Sequence, residues 1–315
     1  MTVSPIVVDY SRPIKGLFLQ RPRIGTIHSV FKKAINIAFE ETMLALLSDE
    51  LPRMPNSVRL HSVVISKLLP NLEPGMEVCV GNDKFIISPC NFSFYISGAP
   101  AWEPRPDVTA YNWDREIVAL HTRFLAQSLA NKQYQAGLVP LVEPLLLQQP
   151  LQATPLSKLA MPKLQMLVQA ARQKNNAGIE EATRGLAGLG PGLTPSGDDV
   201  LGGFAAVMSL LSSVLSTDSI SRSDVASIIS TVAKPRTTKL SGILLEYASR
   251  GEIAEQFGSL LLALMLPVNE FETVQKAADR ALTFGASSGG DTFLGILLGL
   301  QALEGEIYKT GGYLW

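Results

Sequence analysis

Gly188-Leu-Gly-Pro-Gly-Leu-Thr-Pro-Ser-Gly-Asp-Asp199 runs without a break into Val200-Leu-Gly-Gly-Phe-Ala-Ala-Val-Met-Ser-Leu-Leu-Ser-Ser-Val-Leu215. The second stretch is the longest apolar run of the chain, but Gly202, Gly203 and three serines interrupt it. Its sixteen residues fall short of the roughly twenty a membrane span needs. Its composition predicts a helix buried on all sides inside a protein. The first stretch is then the approach to that helix. The first turn of a helix leaves backbone N–H groups without partners, its dipole is positive there, and glycines let another group come close to the backbone. With the hydroxyls of Thr194 and Ser196 adding donors, the natural guest of such an end is an anion.

A second stretch, Gly285-Ala-Ser-Ser-Gly-Gly-Asp-Thr292, runs into another apolar helix. Laid over the first at an offset of 93, it matches Gly192 with Gly285, Thr194 with Ser287, Gly197 with Gly290, Asp198 with Asp291, Leu201 with Leu294 and Gly202 with Gly295. A loop-to-helix unit used twice is expected, with both copies lining one cleft. Gly190, Gly192, Thr194, Ser196 and Gly197, with Ser287, Ser288, Gly289, Gly290 and Asp291, are the candidate anion-binding residues. Asp198, Asp199 and Asp291 would repel a bare phosphate unless a cation bridges them. Asp198 and Asp199 are therefore candidate ligands for magnesium or another cation. Between the two copies lies Lys234-Pro-Arg-Thr-Thr-Lys-Leu-Ser241, which adds Thr237, Thr238 and Lys239 to the candidate site and Arg236 as a bidentate anion holder. Asp198, Asp199 and Arg236 are the candidate catalytic residues. The plainer readings are that the aspartates and serines cap helices, that the glycines serve close helix packing and that 234–241 is a solvated loop.

From Leu17 to Ser97 the pattern is that of strands: Ile24–Phe31, Ala34–Phe39, Val58–Ile65, Met76–Val80 and Lys84–Ser88, with Gly81-Asn-Asp83 as a hairpin turn and a helix over Glu40–Ser48. The proline-rich segment up to Pro106 marks a boundary. Asp114 caps a helix to Ala130, and the prolines from 140 to 162 keep the following helices short. Beyond Lys163 helical spacing predicts Leu164–Lys174, Ile179–Leu186, Asp198–Leu215, Asp224–Ala233, Leu240–Ser249, Ala254–Leu266, Phe271–Leu282 and Asp291–Leu303. The expected fold class is α+β: a β-rich domain over 1–106, a barrel or sandwich; a helical, proline-rich connector over 107–162; and an α-helical domain over 163–315 that carries both glycine-rich helix starts.

Of 315 residues 46% are hydrophobic, enough for a sizeable core, and the 27 basic and 28 acidic residues leave a net charge of −1 with no basic stripe. No nucleic-acid partner is expected. Cys79 and Cys90 form no disulfide framework, and His28, His61 and His121 form no zinc site. Met1 to Tyr10 holds Asp9 and no apolar export core, so a cytoplasmic protein with no membrane attachment is expected. His28 and His61, in strands near Ser29 and Asn36, read as partly buried structural histidines. No G-x-x-x-x-G-K-[ST] phosphate loop and no dinucleotide fingerprint is present. Gly188-Leu-Gly190 resembles the phosphate loop of small-metabolite kinases such as galactokinase and homoserine kinase, without the rest of that pattern.

The Gly188–Asp199 run, Arg236-Thr-Thr-Lys-Leu-Ser241, Ser287-Ser-Gly-Gly-Asp-Thr292 and the early Gly25-Thr-Ile-His-Ser-Val-Phe31 together resemble the AllH-type family over most of the chain. The resemblance implies a subunit of the oxamate carbamoyltransferase of allantoin degradation, which converts carbamoyl oxamate and phosphate to oxamate and carbamoyl phosphate. It implies other enzyme subunits and a small substrate bearing phosphate or carboxylate as partners. Two further readings stay open: an ATP- and magnesium-dependent small-molecule kinase or ligase, and a non-catalytic scaffold subunit.

Overall fold

A computed structural model describes residues 6–111, 113–131, 136–150, 154–215 and 220–304. The first five residues of the Met1–Tyr10 start lie outside the described residues. Two compact units follow one another, residues 1–104 and 105–315.

The first unit consists of β1 (Val7–Ser11), α1 (Lys15–Leu19), β2 (Arg23–Phe31), β3 (Ala34–Ala38), β4 (Met43–Ser48), β5 (Ser57–Leu60), α2 (Ser62–Leu68), β6 (Glu77–Gly81), β7 (Lys84–Ile87), β8 (Phe92–Tyr95) and β9 (Ala101–Trp102). The strands form one nine-stranded sheet, curled into a half-barrel, in the order β8-β7-β6-β2-β3-β4-β5-β1-β9. Its concave side is filled by Phe18, Ile27, Ile35, Ile37, Leu44, Leu46, Val58, Leu60, Phe85 and Phe94, all buried. Asn82 and Asp83 take positive φ between β6 and β7, as a tight hairpin requires.

Two local expectations fail here. Glu40–Ser48 has helix-forming residues, but Met43–Ser48 is a strand buried at every position, antiparallel to β3 and parallel to β5. A strand covered on both faces is an unbroken apolar run, which periodicity cannot tell from a helix. Val58–Ile65 is likewise not one strand. β5 ends at Leu60, and α2 starts at Ser62, whose N–H donates to Asp49 Oδ1 at 2.9 Å. His61 Nδ1 lies 3.0 Å from the other Asp49 oxygen. Cys79 sits on β6 and Cys90 in a 3₁₀ turn, and both are free thiols. The buried charge of this unit is Asp9, held by Arg59 and by Arg53 Nε at 3.0 Å. Burial raises the Asp9 carboxyl, but the bonds and charges of the two arginines outweigh it and hold it below the ordinary range. What the cluster adds to stability is therefore present above the usual carboxylate range and fades as pH falls below it.

The second unit is helical: α3 (Arg115–Asn131), α4 (Val142–Leu146), α5 (Pro155–Arg172), α6 (Asn176–Leu186), α7 (Ser196–Leu215), α8 (Ile220–Ala233), α9 (Lys239–Ser249), α10 (Glu255–Ala263), α11 (Phe271–Leu282) and α12 (Ser288–Glu304). Asp114 Oδ1 accepts from the N–H groups of Glu116 and Ile117 and so caps α3 as expected. α5 is not the short helix its prolines imply. Pro155 occupies the tolerated first turn behind the Thr154 cap, and the helix carries Pro162 in its interior. At the centre α7 packs against α12. Val200, Leu201, Phe204, Ala205 and Val207 of one, and Phe293, Leu294, Ile296 and Leu298 of the other, are wholly buried.

The crossing is close because glycines face backbone across it. A Cβ on Gly203 would collide with the Thr292 carbonyl, one on Gly295 with the Val200 carbonyl, and one on Gly299 would come 2.9 Å from the Val207 Cβ. Gly202, one residue along, has only Leu245 Cδ2 at 3.9 Å. Gly203→Ala is therefore expected to destabilise by about 3 kcal/mol, a fall in Tm of roughly 6–12 °C. Gly202→Ala should leave the melt unchanged or raise it, since alanine is the better helix former by about 0.5–1 kcal/mol. Melts of the two variants side by side check this; equal effects would contradict it.

Candidate functional site

The two glycine-rich approaches meet where α7 and α12 begin. Thr194 Oγ1 and Ser288 Oγ lie 3.0 Å apart. The hydroxyls of Ser288 and Thr194 also bear on the Asp199 carboxyl and lower it, while those of Ser196 and Ser287 do the same for Asp291. The first residue of each helix thus sits beside an aspartate of the other: Ser196 beside Asp291, Ser288 beside Asp199.

This exchange defines the duplication, and its register differs by one from the sequence match. Asp199 N–H donates to the Pro195 carbonyl at 3.1 Å and Asp291 N–H to that of Ser287 at 2.9 Å. The second residues, Gly197 and Gly289, donate to the loop carbonyls of Leu189 and Phe284, each at 2.8 Å. Side chains on them would collide with the carbonyls of Leu186 and Ala281, at the ends of the preceding helices. The pairs Ser196/Ser288, Gly197/Gly289, Asp199/Asp291, Gly203/Gly295 and Val207/Gly299 are all 92 residues apart. The offset of 93, which paired Asp198 with Asp291 and Gly197 with Gly290, is corrected to 92. Contacts that are reciprocal between copies, with Val207 facing its own equivalent, are those of a local two-fold axis.

Asp198 belongs to a different arrangement from Asp199. Its Oδ1 accepts the Gly188 N–H at 2.9 Å, and its Oδ2 accepts the hydroxyls of Thr237 and, at 2.9 Å, Ser241. Thr238 caps α9 by accepting from Ser241 N–H and gives its hydroxyl to the Leu193 carbonyl. Gly188, with φ +73°, presses against the Arg236 carbonyl. The 234–241 segment is therefore bound to the glycine-rich loop through its hydroxyls and backbone. Arg236 is exposed and gives Nη1 to the Val232 carbonyl at 2.7 Å, and Lys239 is exposed at the start of α9. Gly190, φ +119°, lies over Ser196 N, while Gly192 has open space where a side chain would be. Gly290 is buried.

All three carboxyls are pushed above their usual range, and burial is the main cause in each. For Asp198 it is moderated by the bonds from Thr237, Gly188 and Ser241. Asp199 is raised further by the neighbouring charges of Asp291 and Asp198. Asp291, wholly buried, is pushed up to about 6 despite its bonds from Leu138 N–H, Ser196 and Ser287. Leu138 N–H reaches Asp291 Oδ1 at 2.6 Å, and a side chain on the preceding Gly137 would strike the same carboxylate. Gly137 and Leu138 are site residues the sequence reading missed; a lone glycine in a proline-rich segment is a weak signal. Among the described residues no three His, Cys, Asp or Glu side chains are grouped to hold a metal ion, and no helix is long and apolar enough to cross a membrane.

The model for the N-terminal domain of the AllH family matches residues 7–101, and the model for oxamate carbamoyltransferase subunit AllH matches residues 186–300. The chain belongs to the AllH family. The second match opens at the last residue of α6 and runs into α12, so it spans both helix starts and the Thr237–Ser241 segment between them. The AllH N-terminal domain is the curled sheet. No solved structure matches the chain.

The carboxylate of Asp198 collects three donors, and asparagine offers one acceptor oxygen and turns its amide N–H groups toward the rest. Asp198→Asn is expected to cost about 2–3 kcal/mol, lowering Tm by roughly 5–10 °C. An unchanged melt would reduce Asp198 to a helix-start residue for which asparagine serves as well.

Proposed function

We propose that this AllH-family chain is a working subunit of a cytoplasmic oxamate carbamoyltransferase and that its helical unit binds the anionic substrate where α7 and α12 begin. The observation that carries the reading is the meeting of the two helix starts, with Thr194 Oγ1 3.0 Å from Ser288 Oγ, Ser196 beside Asp291 and Ser288 beside Asp199. Two positive helix ends and the hydroxyls of Thr194, Ser196, Ser287 and Ser288 meet at one place, and the family name supplies a substrate whose reactants are all anions.

In the reaction proposed, a phosphate oxygen attacks the carbamoyl carbon of carbamoyl oxamate. The bond from that carbon to the oxamate nitrogen breaks, and the nitrogen takes a proton, giving oxamate and carbamoyl phosphate. Charge gathers on the carbamoyl oxygen, so positioned donors and exclusion of water supply most of the catalysis. Asp199, half-buried beside Thr194 and Ser288, is the carboxylate placed to face substrate. Asp198 is a positioning residue that holds the Gly188–Leu193 loop against α9. Arg236, at the exposed rim, is suited to a substrate carboxylate or phosphate in bidentate contact. The family's assembly from several subunits makes partner chains the natural source of the remaining groups.

The test is phosphorolysis of carbamoyl oxamate by the chain reconstituted with its partner subunits. Thr194→Val and Ser288→Ala are each expected to lower kcat/KM by about a hundredfold, the usual effect of removing one donor from a charge-stabilising site. Unchanged kinetics in both would move the chemistry to another subunit and leave this chain a scaffold. Thermal stabilisation by ATP with magnesium, and none by carbamoyl phosphate or oxamate, would replace the reading with a kinase or ligase.

A further inference from the structure

We propose that the α7–α12 crossing holds one alkali cation between Asp199 and Asp291, taken by their Oδ2 atoms and by the hydroxyl oxygens of Thr194, Ser196 and Ser288. The inference goes beyond the transferase reading and does not depend on the identity of the substrate.

The first observation is an unmatched pair of buried oxygens. Asp291 is wholly buried; its Oδ1 takes the Leu138 N–H, and its Oδ2 has no hydrogen-bond partner among the described residues. Asp199 Oδ2 is likewise buried and without a partner. A buried carboxylate oxygen left unsatisfied costs about 1–3 kcal/mol or more, so a native protein rarely carries even one. Here two stand on equivalent residues of a local two-fold. Asp199 lies close enough to feel the charge of Asp291, and the groups bearing on the two are hydroxyls, one backbone N–H and, for Asp199, neighbouring carboxylates.

The donor set and the charge choose the ligand. Every nearby donor atom is oxygen, which selects a hard cation over the softer transition metals. Asp199 and Asp291 bring −2, the two helix starts bring about +0.5 each, and the charge of Asp198, which also reaches Asp199, is screened by its own three donors. The balance of about −1 is neutralised by one monovalent ion, whereas a divalent ion would leave about +1 in a buried place. The site also differs from the adjacent pair Asp198 and Asp199 that the sequence suggests as cation ligands. Asp198 has already given its oxygens to Gly188, Thr237 and Ser241.

The experiment uses the full chain dialysed into tetramethylammonium chloride, whose cation is too large to enter. Tm is then measured in tetramethylammonium, sodium, potassium and magnesium chloride at equal ionic strength, with equilibrium dialysis against radioactive rubidium. Sodium or potassium is expected to raise Tm by on the order of 5 °C over tetramethylammonium. Rubidium should bind at one ion per chain, and Asp199→Asn should lose both effects. Equal melts in all the monovalent salts with no rubidium bound would overturn the proposal, as would stabilisation by magnesium alone. If Asp199→Asn fails to fold, the rubidium stoichiometry of the wild-type chain and its loss in Ser288→Ala decide the matter.

Discussion

Everything in the helical unit follows from how closely α7 and α12 cross. Gly203 and Gly295 let each helix backbone touch the carbonyl of the other, at Thr292 and Val200. Contact that close does more than bury the apolar faces of both helices. It brings their first turns within a side chain's reach of each other, so that Thr194 meets Ser288 and each first serine sits beside the other helix's aspartate. The loops preceding the helices obey the same constraint one layer out. Gly197 and Gly289 press on the ends of α6 and α11 and give their N–H groups to Leu189 and Phe284. Those two amides are thereby used by the chain itself. What remains at the meeting point to receive a ligand is chiefly hydroxyl and carboxyl.

That meeting point is costly as it stands. Three carboxyls, Asp198 and Asp291 buried and Asp199 half-buried, each pushed above its ordinary range mainly by burial, sit within a few residues of two helix starts. A protein selected for stability alone would place apolar groups there, since burying charge is seldom favourable. Residues kept at such a cost are the usual mark of a site that meets a ligand. Asp198 shows the contrast. It is buried too, but its three donors account for it, and its work is to tie the loop before α7 to the start of α9. The half-barrel sheet of the first unit has its own buried charge in Asp9, fully answered by Arg59 and Arg53.

Much of this was legible in the sequence, and the failures have physical reasons. The segregation of strands before 106 from helices after it, the all-round burial of Val200–Leu211 and the duplicated glycine-rich approach each leave a composition or spacing mark that a single chain displays. The register of the duplication was misread by one residue because Asp198 and Asp199 are adjacent and either can be aligned with Asp291; only distance from the helix start separates them. Met43–Ser48 was misread because burial on both faces erases alternation. Gly137 and Leu138 were invisible because a backbone N–H reaching a carboxylate more than 150 residues away leaves no local pattern. The sequence singles out Arg236 and Lys239 by charge; the hydroxyls of Thr237, Thr238 and Ser241 that tie their segment to the glycine-rich loop leave no such mark.

The central claim is that two helix starts form one ligand site. Amide hydrogen exchange measured with and without oxamate and carbamoyl phosphate tests it most directly. The account predicts that ligand slows exchange at Ser196–Asp199 and at Ser288–Asp291 together, by a similar factor, because both first turns close over the same molecule. Slowing confined to one of the two segments, or to neither while substrate is bound and turned over by the assembled enzyme, would contradict it.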